Sequence, residues 1–231
     1  MGRKKYNKNI IKWIGFLLFV PSLIFNFFIF QKYQIEKERN IILAIDVIDG
    51  DTFVLEDKHK VRLSNLDAPE LKLCGGKESK KRLEELVEDK KVRIERIATD
   101  AYGRSLALVY VNDELINKTL LAEGLVVFDS RETAVSEELK AAGKKAREEK
   151  LGIFGPECSQ KENSDDPECN IKGNIRKDRK TKIYNFPGCL NYSRTIVEKF
   201  NGDQWFCSEK EAKKAGFVKA GDCFGKKFEK N

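Results

Sequence analysis

Histidine is all but missing from this chain: His59 is the only one among 231 residues, and it sits in a charged turn, Asp57-Lys58-His59-Lys60, where an exposed loop side chain is expected. Close cysteine pairs are missing as well. The six cysteines, Cys74, Cys158, Cys169, Cys189, Cys207 and Cys223, never fall within the spacing of about two to four residues from which zinc sites are usually built, often with histidine. A zinc site made by the last four of them is therefore disfavoured. A disordered chain is excluded too, because 41% hydrophobic beside 35% charged residues suits a packed core under a charged surface.

Long uncharged stretches are equally scarce, and the one present is at the N-terminus, from Trp13 to Phe30, with only Ser22 and Asn26 as clear polar interruptions. It exceeds the apolar part of a signal peptide, about 7–15 residues, and approaches the roughly 20 that cross a bilayer. No small-x-small cleavage site follows. Arg3, Lys4, Lys5, Lys8 and Lys12 precede the run, while the cations after it, Lys32, Lys37 and Arg39, are mixed with Glu36 and Glu38. By the positive-inside rule residues 1–12 would stay in the cytoplasm, 13–30 would cross the cytoplasmic membrane as an uncleaved anchor in contact with the lipid bilayer, and 31–40 would tether an outward-facing remainder. Secretion after cleavage is the alternative. An extracytoplasmic compartment permits disulfides, so two are expected among Cys169, Cys189, Cys207 and Cys223, which leaves Cys74 and Cys158 as a third pair.

A uniform charge is also absent. Residues 41–169 carry 21 Lys and Arg against 28 Asp and Glu, whereas residues 170–231 carry 15 against 7. Attraction for polyanions would therefore come from the C-terminal segment or from a local patch, not from the bulk of the chain.

Two stretches stand out in the acidic part. Val47-Ile48-Asp49-Gly50-Asp51-Thr52 and Arg62-Leu63-Ser64-Asn65-Leu66-Asp67-Ala68-Pro69-Glu70 each end a strand-like run in carboxylates. Strands that bring Asp51, Asp67 and Glu70 together would form an oxygen-rich pocket for a hard cation such as calcium. Alternation places Val61 and Leu63 on one face and Arg62 on the other. A guanidinium beside a carboxylate-held cation suits an anionic substrate, most naturally a phosphodiester. For Asp49 a turn role is preferred, with the metal role going to Asp51.

Further runs follow the same logic. Strands are expected at 42–48, 52–55, 61–66, 92–97 and 105–111, and helices from 75 to about 90, at 115–123 and at 136–150. That order suits an α+β domain over 41–155, an OB-fold five-stranded Greek-key barrel with three helices. Residues 156–168 read as a polar linker. Residues 169–231 read as a small, basic, disulfide-rich module with a short helix at 209–215, too small to bury much core without cross-links.

Asp49-Gly50-Asp51-Thr52, the segment from Arg62 to Asp67-Ala68-Pro69-Glu70, and Asp100-Ala101-Tyr102-Gly103-Arg104 resemble, in order and at similar spacing, the three signature blocks of the staphylococcal nuclease (thermonuclease) family. The resemblance runs from about Ile42 to Gly155. It implies Ca2+ held by Asp51, Asp67 and the backbone carbonyl of Ala68, where the type member has threonine. It implies that Glu70 acts through water as general base, and that Arg62 and Arg104 contact the phosphate and stabilise the transition state. For Tyr102 it implies stacking or phosphate contact, with plain hairpin packing equally open. The implied activity is endonucleolytic hydrolysis of DNA and RNA with little sequence preference, giving 3′-phosphates. A non-catalytic nucleic-acid-binding or uptake module is the alternative, and no obligate protein partner is implied. Where the family has nucleotide-clamping tyrosines, this chain reads Phe128-Asp129-Ser130-Arg131-Glu132. Gly202 to Phe217 resembles small cysteine-bearing appendages behind bacterial nuclease domains.

Overall fold

The structure is a computed structural model and describes residues 21–32, 41–176 and 181–228. Residues 21–32 are helical (α1) and form part of a unit separate from the compact body, which begins at Ile42. Among the described residues no helix is long and apolar enough to cross a membrane. The span expected over 13–30 is thus represented only by its second half, and residues 1–20 and 33–40 lie outside the described residues.

In the compact body β1 (Ile41–Val47), β2 (Thr52–Leu55) and β3 (Lys60–Leu63) form an antiparallel meander, and β5 (Lys91–Thr99) and β6 (Ser105–Val111) form a hairpin. β5 lies beside β1, and β3 pairs in parallel with β6, so these five strands close on themselves. This is the expected OB-type barrel, with β7 (Glu114–Leu115) added beside β6. Register shifts between Ala44 and Asp46 and between Arg96 and Ala98 supply the local bends that closure needs. Its interior is apolar and sealed: Ala44, Val47, Phe53, Val61, Leu63, Ala107, Leu108 and Val109 are all buried.

Three helices accompany the barrel, as expected. α2 (Gly76–Val87) buries Leu83 and Val87, α3 (Ile116–Ala122) buries Ile116, Leu120 and Leu121, and α4 (Ser136–Glu148) buries Leu139 and Ala146. The third strand is shorter than the sequence pattern suggests. It stops at Leu63, because Asn65 takes a left-handed conformation (φ 64°), and Leu66–Asp67 form a separate strand, β4, paired with β8 (Val127–Phe128).

The segment expected as a linker is built into the fold. Its β9 (Ser159–Gln160) pairs with β12 (Val197–Glu198), and Gln160 is buried, accepting a 2.8 Å hydrogen bond from the Trp205 indole. Beyond it, β10 (Ile171–Arg176) lies between β11 (Thr181–Asn185) and β13 (Gln204–Phe206), with β14 (Val218–Lys219) outside β11. Tyr184, Phe186, Phe206 and Phe217 are buried between this sheet and α5 (Glu209–Lys214), so four aromatics of the C-terminal part are core. All six cysteines are paired, as Cys74–Cys158, Cys169–Cys207 and Cys189–Cys223.

Candidate active site

The turn between β1 and β2 is wound tightly around Asp49, whose carboxylate accepts the Asp51 N–H at 3.1 Å. This is the turn role expected of Asp49. Gly50 is required by space: a Cβ there would stand 2.5 Å from the Ser79 Cβ and 2.8 Å from the Ala68 Cβ. α2 and the β4 segment therefore press directly on the turn that carries Asp51.

Asp51 points inward and is almost wholly buried. Its Oδ1 accepts from the Thr52 hydroxyl at 2.8 Å and from the Arg62 guanidinium at 2.5 Å, and its Oδ2 accepts from the Ala68 N–H at 2.9 Å. The other terminal nitrogen of Arg62 donates to Asp67 Oδ1 at 2.8 Å. The β2–β3 register explains the meeting, since Arg62 lies directly opposite Thr52. One planar guanidinium thus bridges two carboxylates delivered by different turns.

Burial, reinforced by the nearby charge of Asp49, pushes the Asp51 carboxyl up to about 6 against the pull of Arg62 and the Ala68 N–H. Burial opposes the charged form of Arg62 as well, but Asp51 and Asp67 outweigh it and hold the guanidinium above its ordinary value. The site sets one buried carboxylate, Asp51, and one partly exposed carboxylate, Asp67, around one fixed cation.

Glu70 does not join that pair. Among the described residues the only close grouping of three His, Cys, Asp or Glu side chains is Asp166, Cys169 and Cys207, whose two cysteines are already joined in a disulfide. The pocket expected from all three carboxylates is therefore a pair, Asp51 and Asp67, and Glu70 is exposed on the following loop. The Glu70 carbonyl accepts the Leu73 N–H at 2.8 Å and lies against Gly76, where a Cβ would approach it to 2.1 Å.

Arg104 and Tyr102 sit at the β5–β6 turn. Asp100 accepts the N–H groups of Tyr102 and Arg104, each at 2.9 Å, and the Arg104 Nε at 2.7 Å. Burial favours its neutral form, but these donors win and keep the Asp100 carboxyl below its ordinary value. Tyr102 is 86% exposed with the Arg104 guanidinium 5.4 Å from its ring centre, so the hairpin does not pack it away. Arg104 enters β6 one residue before Ser105, the partner of Val61, which places the turn next to the strand that carries Arg62.

Two buried amides that motif reading passes over support these parts. Asn117, fully buried, accepts from the Val109 N–H at 2.9 Å and donates to the carbonyls of Ser64 (2.8 Å) and Ala107 (3.2 Å). Asn65 donates to the Arg131 carbonyl and accepts from the Thr133 hydroxyl at 3.2 Å, while its own carbonyl accepts the Asp129 N–H at 3.0 Å. The loop that lacks the family's tyrosines is thus fastened to the turn before Asp67. Asparagine ahead of a strand break was the only signal in sequence.

A closed OB-type barrel whose first turn, third strand and following turn present two carboxylates to one arginine defines a recognisable class of site. Comparison with known proteins narrows it. A family model described as staphylococcal nuclease homologue matches residues 60–155. A protein named as an uncharacterized endonuclease of Escherichia coli O157:H7 is 33% identical over 116 residues, 48% of this chain and 74% of that protein. Another of that description from Haemophilus influenzae is 39% identical over 93 residues, 38% of this chain and 52% of that protein. The staphylococcal-like nuclease CAN1 of Arabidopsis thaliana is 31% identical over 112 residues, 47% of this chain and 33% of that protein. The chain thus spans about half of the Haemophilus protein and a third of the Arabidopsis one. It belongs to the staphylococcal nuclease family.

Proposed function

We propose that this protein is a calcium-dependent nuclease that hydrolyses DNA and RNA with little sequence preference and works outside the cytoplasmic membrane, tethered by the apolar run at 13–30. The observation that carries the catalytic reading is the Arg62 guanidinium shared between Asp51 and Asp67 in a member of this family. The donor set fits calcium: two carboxylates, oxygen only, on a rigid barrel frame, with a positive group already drawn between them. Asp51, Asp67 and the Ala68 carbonyl are the residues that would hold it, and when bound it supplies positive charge to the phosphate and lowers the pKa of nearby water.

The remaining work falls to side chains of this chain. Arg62 and Arg104 are the groups that bind the phosphate and offset the negative charge that grows on its non-bridging oxygens as the transition state forms. Glu70, exposed on the loop after Asp67, is the residue we assign to take a proton from the attacking water. Water attacks phosphorus, the bond to the 5′-oxygen breaks, and that oxygen leaves as a hydroxyl once protonated. The phosphate stays on the 3′-oxygen. Tyr102, exposed beside Arg104, is available for stacking or phosphate contact.

The test is hydrolysis of single-stranded DNA by the full chain with calcium and with a calcium chelator, beside Glu70→Gln and Arg62→Ala. Calcium-dependent cleavage that falls about a hundredfold or more in each variant is expected. Tight DNA binding with no cleavage by the wild type would replace this reading with a non-catalytic binding module.

A further inference from the structure

The loop that carries Glu70 contains no strand or helix between β4 and α2, over residues 68–75. Local bonds, the Leu73 N–H to the Glu70 carbonyl and the Gly76 N–H to the Leu73 carbonyl, give it a turn, and Gly75 and Cys74 add partners from far along the chain. Gly75, in a left-handed conformation (φ 82°), lies so close to Ile153 that a Cβ would meet its Cγ2 at 2.3 Å. Cys74, four residues after Glu70, is bonded to Cys158 across 84 residues of sequence.

Cys158 belongs to the C-terminal part as much as to the barrel domain. Its carbonyl accepts the Lys199 N–H at 2.8 Å, and the next two residues pair with β12. Phe154 and Phe200 meet edge to face at 5.7 Å, in a buried cluster with Ala146, Ile153 and Cys158. Gly202, at the turn after Phe200, faces the same loop: a Cβ there would come within 4.0 Å of the Leu73 Cδ1. The loop is clamped covalently at Cys74, against a residue whose own partners lie beyond the barrel.

We infer that the Cys74–Cys158 disulfide and the C-terminal part behind it are a positioning device for Glu70, so that the nuclease turns over fully only in the oxidised form. This inference rests on the general-base role proposed for Glu70. Asp51, Arg62 and Asp67 sit on strands and turns that the barrel's own hydrogen bonds secure, and Ala68, the first residue of the loop, is tied to Asp51 by its N–H, so the calcium-holding groups stay assembled when the disulfide is lost. The consequence is a division of effects. Losing the disulfide lowers kcat and leaves calcium binding and KM where they were. A displacement of about 1 Å in a catalytic group can lower the rate about a hundredfold, so a fall of roughly ten- to a hundredfold is expected.

The experiment compares the full chain with Cys74→Ser/Cys158→Ser, with Glu70→Gln, and with the two sets combined. It measures kcat and KM on single-stranded DNA and calcium affinity from the calcium-dependent rise in Tm. If the serine pair fails to fold, Cys74→Ala/Cys158→Val, which keeps the cluster apolar, takes its place.

The expected result is the stated fall in kcat, KM and calcium midpoint within twofold of wild type, and little further loss when the disulfide is removed from the Glu70→Gln background. A kcat within twofold of wild type overturns the inference, as does a parallel loss of calcium affinity or a full additive loss in the combined variant. An inactive Glu70→Gln beside a fully active disulfide variant defeats the positioning role alone. An active Glu70→Gln defeats the general-base assignment as well.

Discussion

At the scale of single residues, space and protonation decide more than identity. Gly50 is needed for want of a side chain, since any Cβ collides with Ser79 and Ala68, the latter adjacent to Asp67. Gly50→Ala is expected to shift the Asp51 turn outward, lowering kcat/KM by about a hundredfold together with a lower Tm. Steady-state assay beside a thermal melt checks both. Lys172 is the other unusual residue, buried to 1% exposure on β10, donating to the carbonyls of Tyr192 (3.0 Å) and Thr195 (2.7 Å) beneath the Tyr192 ring. Burial, aided by the charge of Lys161, lowers its pKa from 10.5 to about 8. Between those values the unfolded chain binds more protons than the folded one, so stability from this group rises with pH. The stability of wild type relative to Lys172→Met is therefore expected to improve from pH 7.5 to pH 10. Denaturant titrations of both proteins at the two pH values measure that difference, and a constant difference contradicts the assignment.

At the scale of elements, what was legible was whatever repeats locally. Periodicity of two or of three to four placed the five barrel strands and three helices, and alternation alone put Arg62 on the face opposite Val61 and Leu63. The three acidic and basic blocks located Asp51, Asp67 and Arg62 because turn chemistry and charge are local properties. Elements two residues long have no period to read, so β4, β8, β9 and β12 were invisible, and polar 156–168 passed for a linker although Gln160 and Asn163 are buried and bonded. The break after Leu63 was hidden for the same reason: the long-range partners of Asn65, Asp129, Arg131, Thr133 and Ser136, lie 64 to 71 residues away. Glu70 stood in one motif with Asp67, yet sequence distance does not measure side-chain separation, and among the described residues Asp51, Asp67 and Glu70 do not form one close grouping. Asn117 shows how much such long-range bonds carry. Its truncation to Ala leaves the Val109 N–H and the Ser64 carbonyl buried without their partner, while the Ala107 carbonyl keeps the Ser64 N–H, at about 1–3 kcal/mol for each unsatisfied group. Asn117→Ala is expected to lose at least about 2 kcal/mol, a drop in Tm of roughly 4–8 °C for a domain of this size. A melt unchanged within 2 °C, roughly 0.5–1 kcal/mol on that scale, would mean that water replaces the amide.

At the scale of the whole molecule the charge division is functional only if the basic part meets the substrate. The acidic stretch of 41–169 contains the candidate site, and long polyanions approaching it meet net repulsion, whereas 170–231 carries more than twice as many cations as anions. The two are not separable pieces, because β9 pairs with β12, Phe154 packs on Phe200, and Cys158 is tied to Cys74. Deleting the C-terminal part would damage the fold, so charge must be altered in place. Lys210, Lys213 and Lys214 project from the exposed side of α5 while Ala212 on the same helix is buried. Changing all three to Gln leaves packing intact and removes only attraction. If each cation lies against a phosphate of bound single-stranded DNA, the slope of log affinity against log salt becomes shallower by about 2, at roughly 0.7 per contact. Turnover of a dinucleotide, too short to reach beyond the site, is expected to stay within twofold. An unchanged slope would show that α5 does not touch the strand, and would move the electrostatic capture of substrate to Arg62 and Arg104.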